Sequence, residues 1–108
     1  MHILLFYGNE VIMLILITYD VSTVDKRGAA RLRKVAKACE DYGIRVQNSV
    51  FECVLDEGQY HLLKNKLLEL IDLNEDSLRF YRMGKNYQKN VEHYGIKEVV
   101  DQEGILIL

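Results

Sequence analysis

Asp20 closes the run Met13-Leu-Ile-Leu-Ile-Thr-Tyr-Asp20, an aliphatic segment that ends on a carboxylate. A strand of Ile and Leu wants apolar cover, so an acid at its last position stands at the rim of a core on rigid backbone. That is a suitable place to hold a metal ion or a general base. A basic stretch follows. Lys26, Arg27, Arg31, Arg33, Lys34 and Lys37 fall within twelve positions, with no acid until Glu40. One-sign clustering of this kind suits phosphate, so nucleic acid is a natural object for the carboxylate. The third segment is Tyr42-Gly-Ile-Arg-Val-Gln-Asn-Ser-Val-Phe-Glu52, which offers Arg45, Ser49 and Phe51 close together.

Each feature has an ordinary counterpart. Asp after a strand commonly makes an Asx-turn or a helix entry. A basic helix face is often only solvated, and Arg33 has the alternative of turning inward to pair with a carboxylate. His2, His61 and His93 lie in unrelated segments and form no spaced ligand set. Glycine-rich phosphate loops and nucleophile elbows are absent.

The elements that must position these groups follow from periodicity. Met13–Tyr19 reads as a central strand. Asp25 caps a helix that runs to about Tyr42, with Leu32, Val35, Cys39 and Tyr42 at helical spacing and Gly43 as a left-handed C-cap. Ile44–Leu55 is extended. Gln47-Asn48-Ser49 within it is a tight reversal or a bulge, and two short strands meeting there is the favoured reading. Asp56-Glu-Gly58 opens a second helix to about Ile71, with Tyr60, Leu63, Leu67 and Leu70 on one face. Residues 74–77 form a turn, Leu78–Arg82 alternates like a half-exposed strand, and Val91–Tyr94 is a short strand. Gly104-Ile-Leu-Ile-Leu108 is an apolar tail. The order strand, helix, two strands, helix, strand predicts an α+β, ferredoxin-like βαββαβ fold: a four-stranded antiparallel sheet with both helices on one face.

The chain has 108 residues, of which 49% are hydrophobic, enough for one domain with a real core. Its net charge of −2 means that any nucleic-acid contact must be a local patch. Cys39 and Cys53 read as reduced core thiols of a cytoplasmic protein. The apolar run in residues 1–12 is too short to span a membrane and lacks a signal-peptide pattern. Met13 opens the strong strand directly, so residues 1–12 are expected to be a non-native or upstream-start extension. The alternative is that Ile3–Tyr7 pairs with a sheet edge. The core is then 13–94 and the tail 95–108. We expect residues after about Asn90 to cross to a second copy and extend its sheet, since an uncovered aliphatic tail is a sticky edge.

Leu16-Ile-Thr-Tyr-Asp-Val21, Arg31-Leu-Arg-Lys-Val35, the segment Tyr42–Glu52 and Leu78-Arg-Phe-Tyr-Arg82 together resemble the CRISPR-associated protein 2 family, in particular its type I-C members. The resemblance runs from Met13 to about Tyr94, and Arg45-Val-Gln-Asn-Ser-Val-Phe51 is its most specific part. It implies a ferredoxin-like homodimer with divalent-metal-dependent phosphodiesterase activity on RNA or double-stranded DNA, working beside the CRISPR integrase in spacer acquisition. It implies that Asp20 is the catalytic and metal-binding carboxylate, with Mg²⁺ or Mn²⁺ as the cation. Arg31, Arg33, Arg45 and Phe51 match positions tied to activity or substrate contact. Ser49 lies in the same motif, and Arg27 belongs to the basic cluster; the nucleic-acid-binding set is therefore Arg27, Arg31, Arg33, Arg45, Ser49 and Phe51. Expected partners are a second copy, the integrase subunit, double-stranded DNA and also single-stranded RNA. Two other readings stand beside the nuclease: a non-catalytic DNA-binding dimeric scaffold, and a toxin-type ribonuclease of the related VapD-like group.

Overall fold

The structure, a computed structural model, describes residues 4–7, 10–21, 25–83 and 91–96. The elements are β1 (Leu4–Tyr7), β2 (Glu10–Val21), α1 (Lys26–Glu40), β3 (Gly43–Gln47), β4 (Val50–Leu55), α2 (Glu57–Leu70), β5 (Asp76–Arg82) and β6 (Val91–Gly95). From β2 to β5 this is the βαββαβ order expected. All strand pairs are antiparallel, and the sheet runs β3-β4-β2-β5-β6. With β1 on β2 and β6 beside β5, the sheet has six strands among the described residues, against the four expected of the core.

β2 is longer than its aliphatic run, and its two edges are fully used. On one edge Met13–Thr18 pair with β4. On the other, Ile15–Val21 pair with β5 while Ile12 and Met13 pair with β1. β1 and β5 thus lie end to end along the same edge, so the sheet-edge alternative for the first residues describes the backbone there.

Strand alternation separates two faces. Ile15, Ile17 and Tyr19 of β2, Phe51, Cys53 and Leu55 of β4, and Leu78 and Phe80 of β5 join Val35, Cys39, Tyr60, Leu63 and Leu67 of the helices in one buried cluster. Both helices therefore cover the same face. Leu14, Leu16, Thr18 and Asp20 point to the second face. Cys39 and Cys53 are free and buried, as expected.

Local chemistry explains the boundaries. Asp25 is the N-cap of α1, with Oδ1 accepting from Gly28 N at 2.7 Å. Asp56 and Gln59 form a reciprocal capping box at α2, an arrangement that satisfies two helix-end donors. Two boundaries differ from expectation. α1 ends at Glu40, and Gly43 is not a left-handed cap. Asp41 caps the helix in right-handed geometry, and Gly43 opens β3. Its lack of a side chain is a matter of space, since a Cβ there would collide with Glu52 O on β4. Likewise β5 begins at Asp76, inside the expected turn, because Asp76 and Ser77 already pair with Val21 and Asp20.

The expected exchange of residues after Asn90 is not what Val91–Gly95 do in the single chain. They pair with β5 of the same chain. Glu92 Oε1 accepts from Tyr60 OH (2.9 Å), Lys64 Nζ (3.1 Å) and Tyr94 OH (3.1 Å), and Ile96 N donates to Asp76 O at 2.7 Å. Gly95 turns the chain out of β6 at φ 96°, a conformation that favours glycine. The aliphatic tail at 104–108 lies outside the described residues.

Candidate functional site

Asp20 is exposed near the end of β2, on the face away from the helices, and pairs with Ser77 of β5. Its backbone is held from both sides. Tyr19 N donates to Ser49 O at 3.0 Å, which ties the β3–β4 turn to β2 one residue before Asp20. On the helix side, the Tyr19 hydroxyl donates to Asp76. Ser49 is thus the expected site residue that the fold brings beside Asp20, through its carbonyl.

Asp76 is the residue that sequence reasoning missed. It is fully buried, and four donors fill its carboxylate. They are Tyr19 OH, Arg31 Nε at 2.8 Å, Arg31 Nη2 at 3.1 Å and Asp72 N at 2.9 Å. A buried charge needs this degree of compensation. Burial and the bond to Asp76 push the Tyr19 phenol up, which keeps it a neutral donor. The bond to Asp76 likewise raises Arg31, so its charge is secure.

Arg31, expected as a phosphate contact, is here engaged by Asp76. Its guanidinium is drawn under the sheet, with the side chain 15% exposed. One sequence signal existed. Gly28, Arg31, Val35 and Ala38 repeat at i, i+3, i+7 and i+10, and the other three of these are buried.

The remaining expected contacts spread out. Arg27 is exposed, with Asp25 3.8 Å away, and Arg33 is exposed on the outer side of α1. Arg45 is exposed but tethered, with Nε donating to Asn48 O at 2.8 Å and Nη2 to Asn48 Oδ1 at 3.2 Å. Its guanidinium lies 5.7 Å from the Phe51 ring centroid. Phe51 itself is wholly buried in the core, which takes it out of reach of a nucleic-acid base. Arg27, Arg31, Arg33 and Arg45 all lie on the helix side of the sheet. Asp20's own face carries Thr18, Ser77, Arg79 and His93 instead.

As a metal site, one chain offers little. Among the described residues no group of three or more His, Cys, Asp or Glu side chains gathers. Asp76 is close in sequence register but is on the other face and saturated. Asp20 thus belongs to no such cluster among the described residues. Mg²⁺ is commonly held through one or two carboxylates with waters completing the octahedron, so Asp20 fits as one ligand.

The sequence profile of the family described as CRISPR associated protein Cas2 matches residues 13–91. The CRISPR-associated endoribonuclease Cas2 of Nitratidesulfovibrio vulgaris is 56% identical over 102 residues, covering 94% of this chain and 99% of that one. The CRISPR-associated endonuclease Cas2 of Halalkalibacterium halodurans is 59% identical over 95 residues, covering 88% and 99%. The crystal structure of Streptococcus pyogenes Cas2 at pH 6.5 superposes with a TM-score of 0.65 at 52% identity, covering 77% of this chain and all of that one. The chain belongs to the CRISPR-associated Cas2 family.

Proposed function

We propose that this member of the Cas2 family is a divalent-metal-dependent phosphodiesterase, an endoribonuclease or double-stranded DNA endonuclease that acts as a homodimer beside the CRISPR integrase in spacer acquisition. The observation that carries the reading is Asp20: an exposed carboxylate fixed at the end of the central strand, on the sheet face that no helix covers. The names of the relatives, endoribonuclease and endonuclease, support the class of reaction.

A two-fold pairing through that second face supplies what one chain lacks. Ile44 and Val54 stand exposed on it, at 62% and 46%, and favour burial against a second copy. Such a pairing brings Asp20 toward Asp20 of the second copy, and the two carboxylates then share one Mg²⁺ or Mn²⁺. When bound, the cation would make water a better nucleophile and offset the charge that develops on phosphorus. Without it, two facing carboxylates repel. Asp20 holds the charge at a fixed point, the Tyr19–Asp76–Arg31 network keeps its strand end in place, and the exposed Arg27 and Arg33 attract the polyanion from the adjoining side of the molecule.

Asp20→Asn keeps the size of the side chain and removes its charge. Cleavage of RNA and of duplex DNA should fall by orders of magnitude, with circular dichroism and dimer mass unchanged. Full activity of the purified variant, with EDTA still abolishing it, would remove Asp20 from the reaction.

That no cluster of three or more metal-ligating side chains gathers among the described residues also favours a second reading, a DNA-binding dimeric scaffold without catalysis. In that case Asp20→Asn leaves integration supported by the complex intact, and the wild-type protein cleaves nothing in either metal.

A further inference from the structure

One row away from Asp20, on the same face, stands Arg79, which forms no salt bridge among the described residues. The register sets Asp20 opposite Ser77, Thr18 opposite Arg79, and Arg79 opposite His93. Directly paired residues of antiparallel strands share a face, and diagonal neighbours lie about 7–8 Å apart, within reach of a long side chain. Arg79 is thus the diagonal neighbour of Asp20.

Its hydrogen-bond partners among the described residues are neutral. Arg79 Nε donates to His93 Nδ1 at 2.9 Å, and Nη1 donates to Tyr81 OH at 3.3 Å. Because Nδ1 accepts, the ring proton resides on Nε2, which donates to Ile96 O at 2.9 Å. These bonds aim the guanidinium. Three other arginines have carboxylate partners: Arg27 has Asp25, Arg31 has Asp76 and Glu75, and Arg82 has Glu57. Arg33 and Arg45 have none among the described residues, but both are exposed to solvent, whereas Arg79 is half-buried. Among the described residues no carboxylate pairs with Arg79. A half-buried cation whose direct partners among the described residues are neutral is poorly compensated, and three of the guanidinium's five N–H donors have no partner among those residues.

We propose that Arg79, aimed by His93, is a phosphate-binding residue of the Asp20 face. Its free N–H groups take the non-bridging oxygens of a nucleic-acid phosphate and set that phosphodiester against Asp20. His93 is a positioning residue that acts through Arg79. The placement against Asp20 rests on the nuclease reading; the binding of phosphate does not.

The test separates the two. In full-length Asp20→Asn protein with EDTA present, affinity for a short single-stranded RNA and for a DNA duplex is followed by fluorescence anisotropy across a salt series. Arg79→Ala should weaken binding about tenfold. It should also flatten the log–log salt slope, by about 0.7 for the single strand or 0.9 for the duplex. His93→Asn, whose Oδ1 replaces the Nδ1 acceptor, should bind as the parent does, while His93→Leu should bind several-fold more weakly. If Arg79→Ala melts near the assay temperature, Arg79→Gln takes its place. Unchanged affinity and slope would overturn the proposal. So would a binding loss that sedimentation traces to dissociation into monomers, since the missing anion would then be a carboxylate of the second copy. If Asp20→Asn cleaves normally, Asp20 is not the catalytic carboxylate and the placement of the phosphate against it fails, while the anisotropy series still judges Arg79.

Discussion

Arg31 and Arg33 differ by two positions and by the side of α1 they take, and that difference divides stability from binding. Removing one partner from a buried, hydrogen-bonded ion pair leaves the other charge stranded, at a typical cost of about 3–5 kcal/mol. Arg31→Ala should therefore lower unfolding stability by about that amount in a denaturant titration, because Asp76 is wholly buried. Arg33→Ala removes an exposed side chain and should leave stability within about 0.5 kcal/mol. It should instead weaken duplex binding and lower its salt slope by up to about 0.9. The reverse assignment, a stable Arg31→Ala that binds poorly, would show that Arg31 meets phosphate after all. Asp20 was legible because a carboxylate ending an aliphatic run is conspicuous in one dimension. Asp76 was not, because Asn74-Glu-Asp-Ser77 has the composition of a turn, and only the pairing of Asp76 with Val21 pulls it into the sheet. Phe51 shows the same limit: its place in a motif gives no hint that the ring points into the core.

At the scale of elements, β6 depends on a charge. Burial raises the Glu92 carboxyl, but hydrogen bonds from Tyr60, Lys64 and Tyr94 outweigh it, so the group sits below its ordinary range. A carboxylate depressed in the folded state contributes stability that is present above its unfolded pKa, about 4.3, and fades as pH falls through the lower folded value. Hydrogen-exchange protection of Val91–Gly95, taken relative to that of β2, should therefore be constant from neutral pH to about 5 and drop below about 4. Glu92→Gln should show lower protection at neutral pH and little further change on acidification. A wild-type β6 as protected at pH 3.5 as at pH 7 would mean that the strand ladder alone holds it. The strands and helices themselves were largely readable, including the reversal between β3 and β4 and the short β6, since period and turn residues specify them locally. The left-handed cap at Gly43 was misread because a glycine after a helix looks alike whether it serves φ or space; the Glu52 carbonyl on β4 decides it, and that neighbour is distant in the fold's logic though near in sequence.

At the scale of the whole molecule, the sheet has one face covered by helices and one that is not, and its last strand is attached through the long connection from Met83 to Asn90. Hairpin loops usually need two to five residues, so this connection does not oblige β6 to pair with its own β5. In a two-fold dimer the second copy offers β6 the same seat: the same register on β5 and the same Tyr60 and Lys64 donors for Glu92. Exchange keeps each of those contacts, and once two copies are joined through Ile44 and Val54 the translational cost has already been met. We therefore expect β6 to pair across the dimer at micromolar concentration. Tyr81 and Val91 are direct partners in the β5–β6 register, so the double substitution Tyr81→Cys with Val91→Cys places two thiols where a disulfide reports the pairing. The native Cys39 and Cys53 are buried and stay out of the reaction in the folded protein. After mild oxidation, a denaturing non-reducing gel should show covalent dimer, and each single variant should run as monomer. Monomer alone from the double variant, with its thiols consumed, would mean that β6 keeps its own β5 in the dimer too. The interface would then rest on the exposed Ile44 and Val54 of the second sheet face alone, and Val54→Lys would be enough to separate the subunits.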